Sequence, residues 1–284
     1  MRLVVRSLIL VTGVWIVAGM TGCGDAKPRD PAVKLPGKAE LEARARTLWE
    51  ARVRKDWKTA WDFVQPRVAA ASSPEQFIEW CEKSEPFIYE SYALHGVDTD
   101  GEYGWAHLTY STRIRQFPTH PAREADHWQK WYAIEGRWYP VVEPRERDAC
   151  PEPPALRNLA AEPRLRERFA QASRLRAAKD WSALLKMVDP GDLEGVDEST
   201  FIREQEKLTI TSERVVWVQA IGERGTVFVV YTAKLNDPSM QNLPESQTPL
   251  LERWIHRDGE WYRDLRTPAP ESESAEQPTE GGAQ

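Results

Sequence analysis

The chain has 284 residues, 41% of them hydrophobic and 29% charged, which supplies a packed core and excludes wholesale disorder. Lys and Arg number 38 against 44 Asp and Glu, a net charge of −6 with the two signs interspersed, so a nucleic-acid footprint is excluded. Three Cys exclude a disulfide scaffold, whereas 13 Trp point to aromatic-rich sheets or a lined cavity.

Arg2 and Arg6 precede the apolar run 8–18, which gives way to Gly19-Met20-Thr21-Gly22-Cys23. A charged start, a short apolar stretch and small residues before a cut point predict an export signal over residues 1–22. The run is shorter than the roughly 20 apolar residues of a comfortable membrane span. Met20-Thr21-Gly22-Cys23 resembles the bacterial lipoprotein lipobox, with Met where Leu is usual. That resemblance implies lipid attachment at Cys23, diacylated through its thiol and then acylated as the new N-terminus. Residues 23–38 are polar and carry Pro28, Pro31 and Pro36, the composition of a flexible tether. The expectation is a protein held to a bacterial envelope membrane by two or three acyl chains, facing the periplasm or the exterior.

Leu41, Ala45, Leu48, Trp49 and Val53 recur at helical steps and predict a first amphipathic helix. Lys55-Asp56-Trp57 opens a second, with Asp56 as N-cap, Trp57, Ala60, Trp61 and Val64 as its apolar face, and Pro66 as its stop. Ser73-Pro74-Glu75-Gln76 opens a third with a capping box. Strands are predicted over 87–94, 105–114, 127–134 and 138–142, and Glu135-Gly136 supplies a tight hairpin turn before the last of them. Helices first and an antiparallel meander afterwards predict an α+β fold.

The same grammar then repeats. At an offset of 124, Arg52, Lys55, Asp56, Trp57, Val64 and Pro66 meet Arg176, Lys179, Asp180, Trp181, Val188 and Pro190. Gly104 and Tyr110 meet Gly225 and Tyr231 at an offset of 121, and Trp131, Gly136 and Trp138 meet Trp254, Gly259 and Trp261 at 123. A period this long predicts two whole domains, 39–143 and 164–266, joined by a Pro-rich linker 144–163. The second domain repeats the strands over 208–221, 227–235, 251–256 and 261–265, with Asp197 as the third helix cap and Asp258-Gly259 in the hairpin turn. The tail 267–284 has no aromatic residue and four Glu without a basic partner, so it is predicted to be disordered.

On the helix–Lys-Asp-Trp–helix opening, the third helix and the final Gly-x-Trp-Tyr hairpin, each domain resembles the nuclear transport factor 2-like superfamily of cystatin-like α+β rolls. The resemblance covers about 39–142 and 164–266. It implies a curved sheet wrapped around the first helix as a cone with a pocket at its open end. Members include enzymes, ligand binders and structural modules, so the fold does not choose among functions.

Trp105, His107, Tyr110 and Trp131 in the first domain and Tyr231 and Trp254 in the second are the candidate pocket-lining residues. Tyr110 and Tyr231 sit at matching strand positions, whereas His107 is replaced by Phe228 in the second copy. Caps, turns and packing positions are what the copies share; no titratable pair repeats, so no catalytic residue is assigned. The five His lack a tight metal spacing, and no cofactor motif or phosphate loop is present, so neither metal nor cofactor is expected. Cys81 and Cys150, the thiols remaining after lipidation, form a candidate disulfide that would staple the first domain to the linker. The expected function is non-enzymatic binding or scaffolding at the membrane, with an envelope protein or a small apolar ligand as partner. The alternatives are a small-molecule isomerase or hydrolase in the first pocket, or a carrier of an apolar ligand.

Overall fold

The computed structural model describes residues 34–194, 196–236 and 244–265. The export signal, Cys23, most of the tether and the acidic tail lie outside the described residues. Two compact units emerge, one of residues up to Pro163 together with Trp217–Gly222, the other of Arg164–Val216 and residues from Glu223 onward.

The first unit runs α1 (Lys38–Arg54), α2 (Trp57–Trp61), α3 (Pro66–Ala69), α4 (Pro74–Lys83), β1 (Phe87–Asp100), β2 (Tyr103–Ile114), β3 (Arg123–Ile134), β4 (Arg137–Pro140) and α5 (Pro144–Ala149). The same order follows, with a 3-10 turn (Pro190–Asp192) in place of α3, in α6 (Glu162–Ala178), α7 (Trp181–Leu185), α8 (Glu198–Gln205), β5 (Leu208–Ile221), β6 (Arg224–Leu235), β7 (Ser246–Arg257) and β8 (Glu260–Arg263). Each set of four strands is a meander in sequence order, giving an α+β fold of curled antiparallel sheets with helices.

Local chemistry explains the repeated opening. Lys55 and Lys179 end the long helices in the left-handed region, at φ 57° and 56°. The next residue caps the next helix: Asp56 accepts from the Thr59 amide at 3.1 Å and Asp180 from the Ala183 amide at 3.0 Å. Ser73 and Gln76 form the expected capping box, and Asp197 caps α8 through the Thr200 amide. Both hairpin turns place two residues at positive φ, Glu135-Gly136 and Asp258-Gly259, as a type I′ turn requires.

Three local expectations are corrected. The second helix stops at Trp61 instead of continuing through Val64, and Pro66 starts α3 at its first position rather than merely ending α2. Proline there is favoured because the missing amide would have no intrahelical acceptor. The first strand extends to Asp100, past 94, because irregular register at Tyr89/Ser91 and Leu94/Gly96 lets it continue its pairing with β2. The segment expected as a linker is folded against the first sheet: Lys130 Nζ donates to the carbonyls of Arg147 and Cys150 at 3.1 and 2.9 Å, and Cys150 and Pro151 are buried.

The interiors are built alike. Helix α1 lays Leu41, Ala45, Leu48 and Trp49 against Ala106, Leu108, Trp131 and Trp138 of the sheet. A Cβ on Gly104 would come within 2.7 Å of Leu41 Cδ2 and 3.1 Å of the Trp138 ring. On Gly225 it would meet Leu165 Cδ2 at 2.5 Å and the Trp261 ring at 2.9 Å. Glycine at these two strand positions is what lets helix, strand and hairpin tryptophan close together. Arg44 and Arg168 then tie each helix to its hairpin, donating to the Trp138 and Trp261 carbonyls at 2.7 and 3.0 Å.

Candidate functional site

Strand alternation separates the four candidate pocket residues of the first unit. Tyr110 and Trp131 face α1, while Trp105 and His107 stand on the opposite face of the first sheet. Trp105 is fully buried there because the folded Pro-rich segment covers it, its indole N–H donating to the Pro151 carbonyl at 2.9 Å. His107 pairs with Asp126 at 2.6 Å and stacks on Trp128 with centroids 4.6 Å apart. Trp131 and Trp254 are fully buried core side chains, so the expected pocket lining is packing instead. The reason is volume: the indoles of Trp131, Trp138, Trp254 and Trp261 occupy the space under each first helix.

The expected Cys81–Cys150 bridge is also corrected, since both cysteines are buried free thiols. Cys81 is the buried residue of α4 and points into the core, whereas the backbone of Cys150 is held by Lys130 on the other face of the sheet. Burial, with Glu85 nearby, pushes the Cys81 thiol up to about 11, and burial pushes Cys150 up to about 12. Neither is a reactive thiolate near neutral pH.

The chemistry gathers somewhere else. Among the described residues the buried polar side chains are Gln65 and Gln129 in the first unit and Asp189 and Glu252 in the second. They occupy matched positions, 124 and 123 residues apart. In the first unit Gln129 Oε1 accepts from the Trp49 indole at 2.9 Å. That indole packs among Tyr89, Tyr92 and Tyr110, with the Arg52 guanidinium 5.2 Å from its centroid. Gln65 Nε2 donates to the Pro140 carbonyl at 3.1 Å.

In the second unit Ser173 stands where Trp49 stood, and the cluster becomes ionic. Tyr231 donates its hydroxyl hydrogen to Glu252 Oε1 at 2.6 Å and accepts from Arg176 Nη1 at 2.6 Å. Arg176 Nη2 also reaches Glu252 Oε1 at 3.3 Å, and Arg263 Nη2 lies 3.6 Å from the same oxygen. Glu213 completes the charge balance 3.5 Å from Arg176. Nearby in the fold, fully buried Asp189 pairs with Arg257 at 3.2 Å, and its amide donates to the Arg263 carbonyl at 2.9 Å.

Burial pushes the Glu252 carboxyl up, but Arg263, Arg176 and the Tyr231 hydroxyl together hold it below its ordinary value. Burial and the Glu252 carboxylate drive the Tyr231 hydroxyl far above a free phenol. Burial disfavours the Arg176 charge, yet Glu252, Tyr231 and Glu213 outweigh it and raise its pKa. At neutral pH the group is a carboxylate, a neutral phenol and two guanidinium ions. A carboxylate so stabilised is a poor general base and a phenol so disfavoured as an anion is a poor nucleophile. What the arrangement does well is cross-link α6 to β6, β7 and β8.

Sequence reasoning picked Tyr231 and Trp254 but missed Glu252, Arg176 and Arg263 as a group. The available signal was the set of correlated exchanges between the copies: Trp49, Gln129 and Pro140 become Ser173, Glu252 and Arg263. Among the described residues no group of three or more His, Cys, Asp or Glu is arranged to hold a metal ion, and no helix is long and apolar enough to cross a membrane.

No protein-family model matches the chain, and no curated protein does either. Among solved structures, the chain is similar to a SEC-C motif containing protein from Rhodopseudomonas palustris, with 23% identity over 37% of this chain and 77% of that one and a TM-score of 0.29. It is also similar to an Ntf2 like protein involved in plasmid conjugation, with 6% identity over 79% of this chain and 93% of that one and a TM-score of 0.24.

Proposed function

We propose that the protein is a lipid-anchored lipoprotein of the bacterial envelope that presents two tandem rolls of the nuclear transport factor 2-like type as non-enzymatic binding or scaffolding modules. The observation that carries the scaffolding reading is the filled interior: Trp131, Trp138, Trp254 and Trp261 are buried to within 3% of complete where a ligand of the cone would sit. A roll packed in this way offers its outer surfaces, not its inside, to a partner. The export signal and Cys23 support the anchor, and two or three acyl chains give a lasting membrane attachment that one chain does not.

The test has two arms. Full-length protein expressed in a bacterium is expected in the membrane fraction with an acylated N-terminal Cys23 by mass spectrometry, and Cys23→Ser is expected to be soluble or an uncleaved precursor. A Cys23→Ser protein that matures and still sediments with membranes would overturn the anchor. Titration of the mature protein with a long-chain fatty acid, read by Trp fluorescence, is expected to show no saturable binding. Saturation at one equivalent would replace scaffolding with the carrier reading.

A further inference from the structure

In the second unit one oxygen of Glu252 collects every contact described above, from Tyr231, Arg176 and Arg263. Glu252 Oε2 and Arg263 Nη1, the remaining atoms of the same two groups, are buried without a hydrogen-bond partner among the described residues. The Glu252 side chain is only 4% exposed. Ser173 Oγ and Trp254 Nε1 are in the same condition. Trp254 lies opposite Arg263 in the β7–β8 register and two residues along β7 from Glu252. Ser173 is one helical turn before Arg176, which reaches Glu252.

The first unit fills the Glu252 end of the matched place, although Trp131 Nε1, the counterpart of Trp254 Nε1, is likewise buried without a hydrogen-bond partner among the described residues. There the Trp49 ring fills it and donates to Gln129, and Pro140 occupies the position of Arg263. Ser173 brings no ring and no indole N–H, and Glu252 Oε2 is left without a donor among the described residues. Buried carboxylate and guanidinium atoms are rarely left unmatched, and ordered water is the usual partner when side chains are not.

We propose that this is an internal hydration site, binding about one or two water molecules that bridge Glu252 Oε2 and Arg263 Nη1 and draw further partners from Ser173 Oγ and Trp254 Nε1. The donor set selects water. A cation would satisfy the carboxylate and repel the guanidinium, and an anion would do the reverse. Water both donates to Oε2 and accepts from Nη1, and four polar atoms supply the three or so bonds a buried water makes. The bound water completes the solvation that keeps Glu252 ionised within the sheet, and it links β7 to β8 where the first unit uses an aromatic ring.

The test is a crystal structure of the mature chain at a resolution that shows ordered solvent, paired with oxygen-17 relaxation dispersion in solution. The expected result is solvent density within hydrogen-bond distance of both Glu252 Oε2 and Arg263 Nη1. Arg263→Met, with its fold verified by circular dichroism, is expected to lose at least one long-lived water from the dispersion amplitude. A direct two-pronged Glu252–Arg263 contact, or a side chain filling the place, would overturn the proposal, as would an unchanged amplitude in folded Arg263→Met. If that variant does not fold, the parent density alone decides.

Discussion

Beside Trp49 in the first sheet a neutral amide, Gln129, accepts a single indole hydrogen bond. At the matched place in the second sheet Glu252 is ringed by Arg176, Arg263 and Tyr231. The other pair follows the same rule, Gln65 neutral and Asp189 carboxylic with Arg257 beside it. Around these exchanges the frame is constant: the left-handed Lys, the Asp cap, the strand glycine under the helix and the two-residue hairpin turn recur with nearly equal geometry. Backbone requirements are therefore held fixed while the polar contents of the interior are free to change, provided that each charge arrives with its partners. Core volume shifts along the helix in the same spirit, Ala45 and Trp49 becoming Phe169 and Ser173.

The largest effect that would break this comparison is removal of one charge. Glu252→Ala strands Arg176 and Arg263 in the interior and is expected to destabilise the second unit by about 3–5 kcal/mol. Gln129→Ala orphans only an indole N–H and is expected to cost about 1–3 kcal/mol, both read by denaturant unfolding. Replacing Arg176, Glu252 and Arg263 together by Met, Leu and Met is expected to cost less than Glu252→Ala alone, because the one charge left without its partner, Glu213, is partly exposed whereas the stranded guanidinium of Arg176 is buried. A triple variant less stable than the single one would show that the network contributes net stability.

The glycine frame comes next. Gly104→Ala and Gly225→Ala each push a methyl into helix and tryptophan, at an expected cost of about 1–3 kcal/mol, larger at Gly225 where the contacts are closer. Equal or negligible losses in thermal unfolding would mean that the helix gives way freely. The smallest effect is at the caps. Asp56→Ala and Asp180→Ala are expected to lower the melting temperature slightly, and a little more at Asp56, since each loses one amide partner and Asp56 loses the Thr59 hydroxyl as well.

Much of this frame was legible in the sequence, because caps, prolines and turn glycines act through local rules. Asp56, Ser73, Asp180 and Asp197 fell where a helix start needs an acceptor, and Gly136 and Gly259 where the turn needs positive φ. The second helix was overextended because Trp57, Ala60, Trp61 and Val64 keep helical spacing past the point where the backbone leaves the helix. The pocket was misread because alternation alone does not say what covers a face. Trp105 is buried by Pro151, a long-range contact that Pro-rich composition argued against. The ionic cluster escaped notice because Arg176, Glu252 and Arg263 are far apart in the chain and each reads locally as a surface charge.

The contrast between a neutral and an ionic interior is tested most directly by acid. Glu252 has a carboxyl pKa lowered in the folded protein, so its stabilising contribution is complete above the ordinary carboxylate value near 4.5 and disappears as pH falls through the lowered one. Gln129 does not titrate. Amide hydrogen exchange of the mature chain, corrected for intrinsic rates and followed from pH 6 to about pH 3, resolves the two sheets separately. His127 on β3, whose pKa burial lowers, weakens the first sheet as pH falls below the ordinary imidazole value of 6.5, so the contrast lies in what happens below about pH 4.5. The expected result is a further step of lost protection below about pH 4.5 in β6 and β7 that Glu252→Gln removes; a step of the same size in the Glu252→Gln protein, or none in the parent, would contradict it.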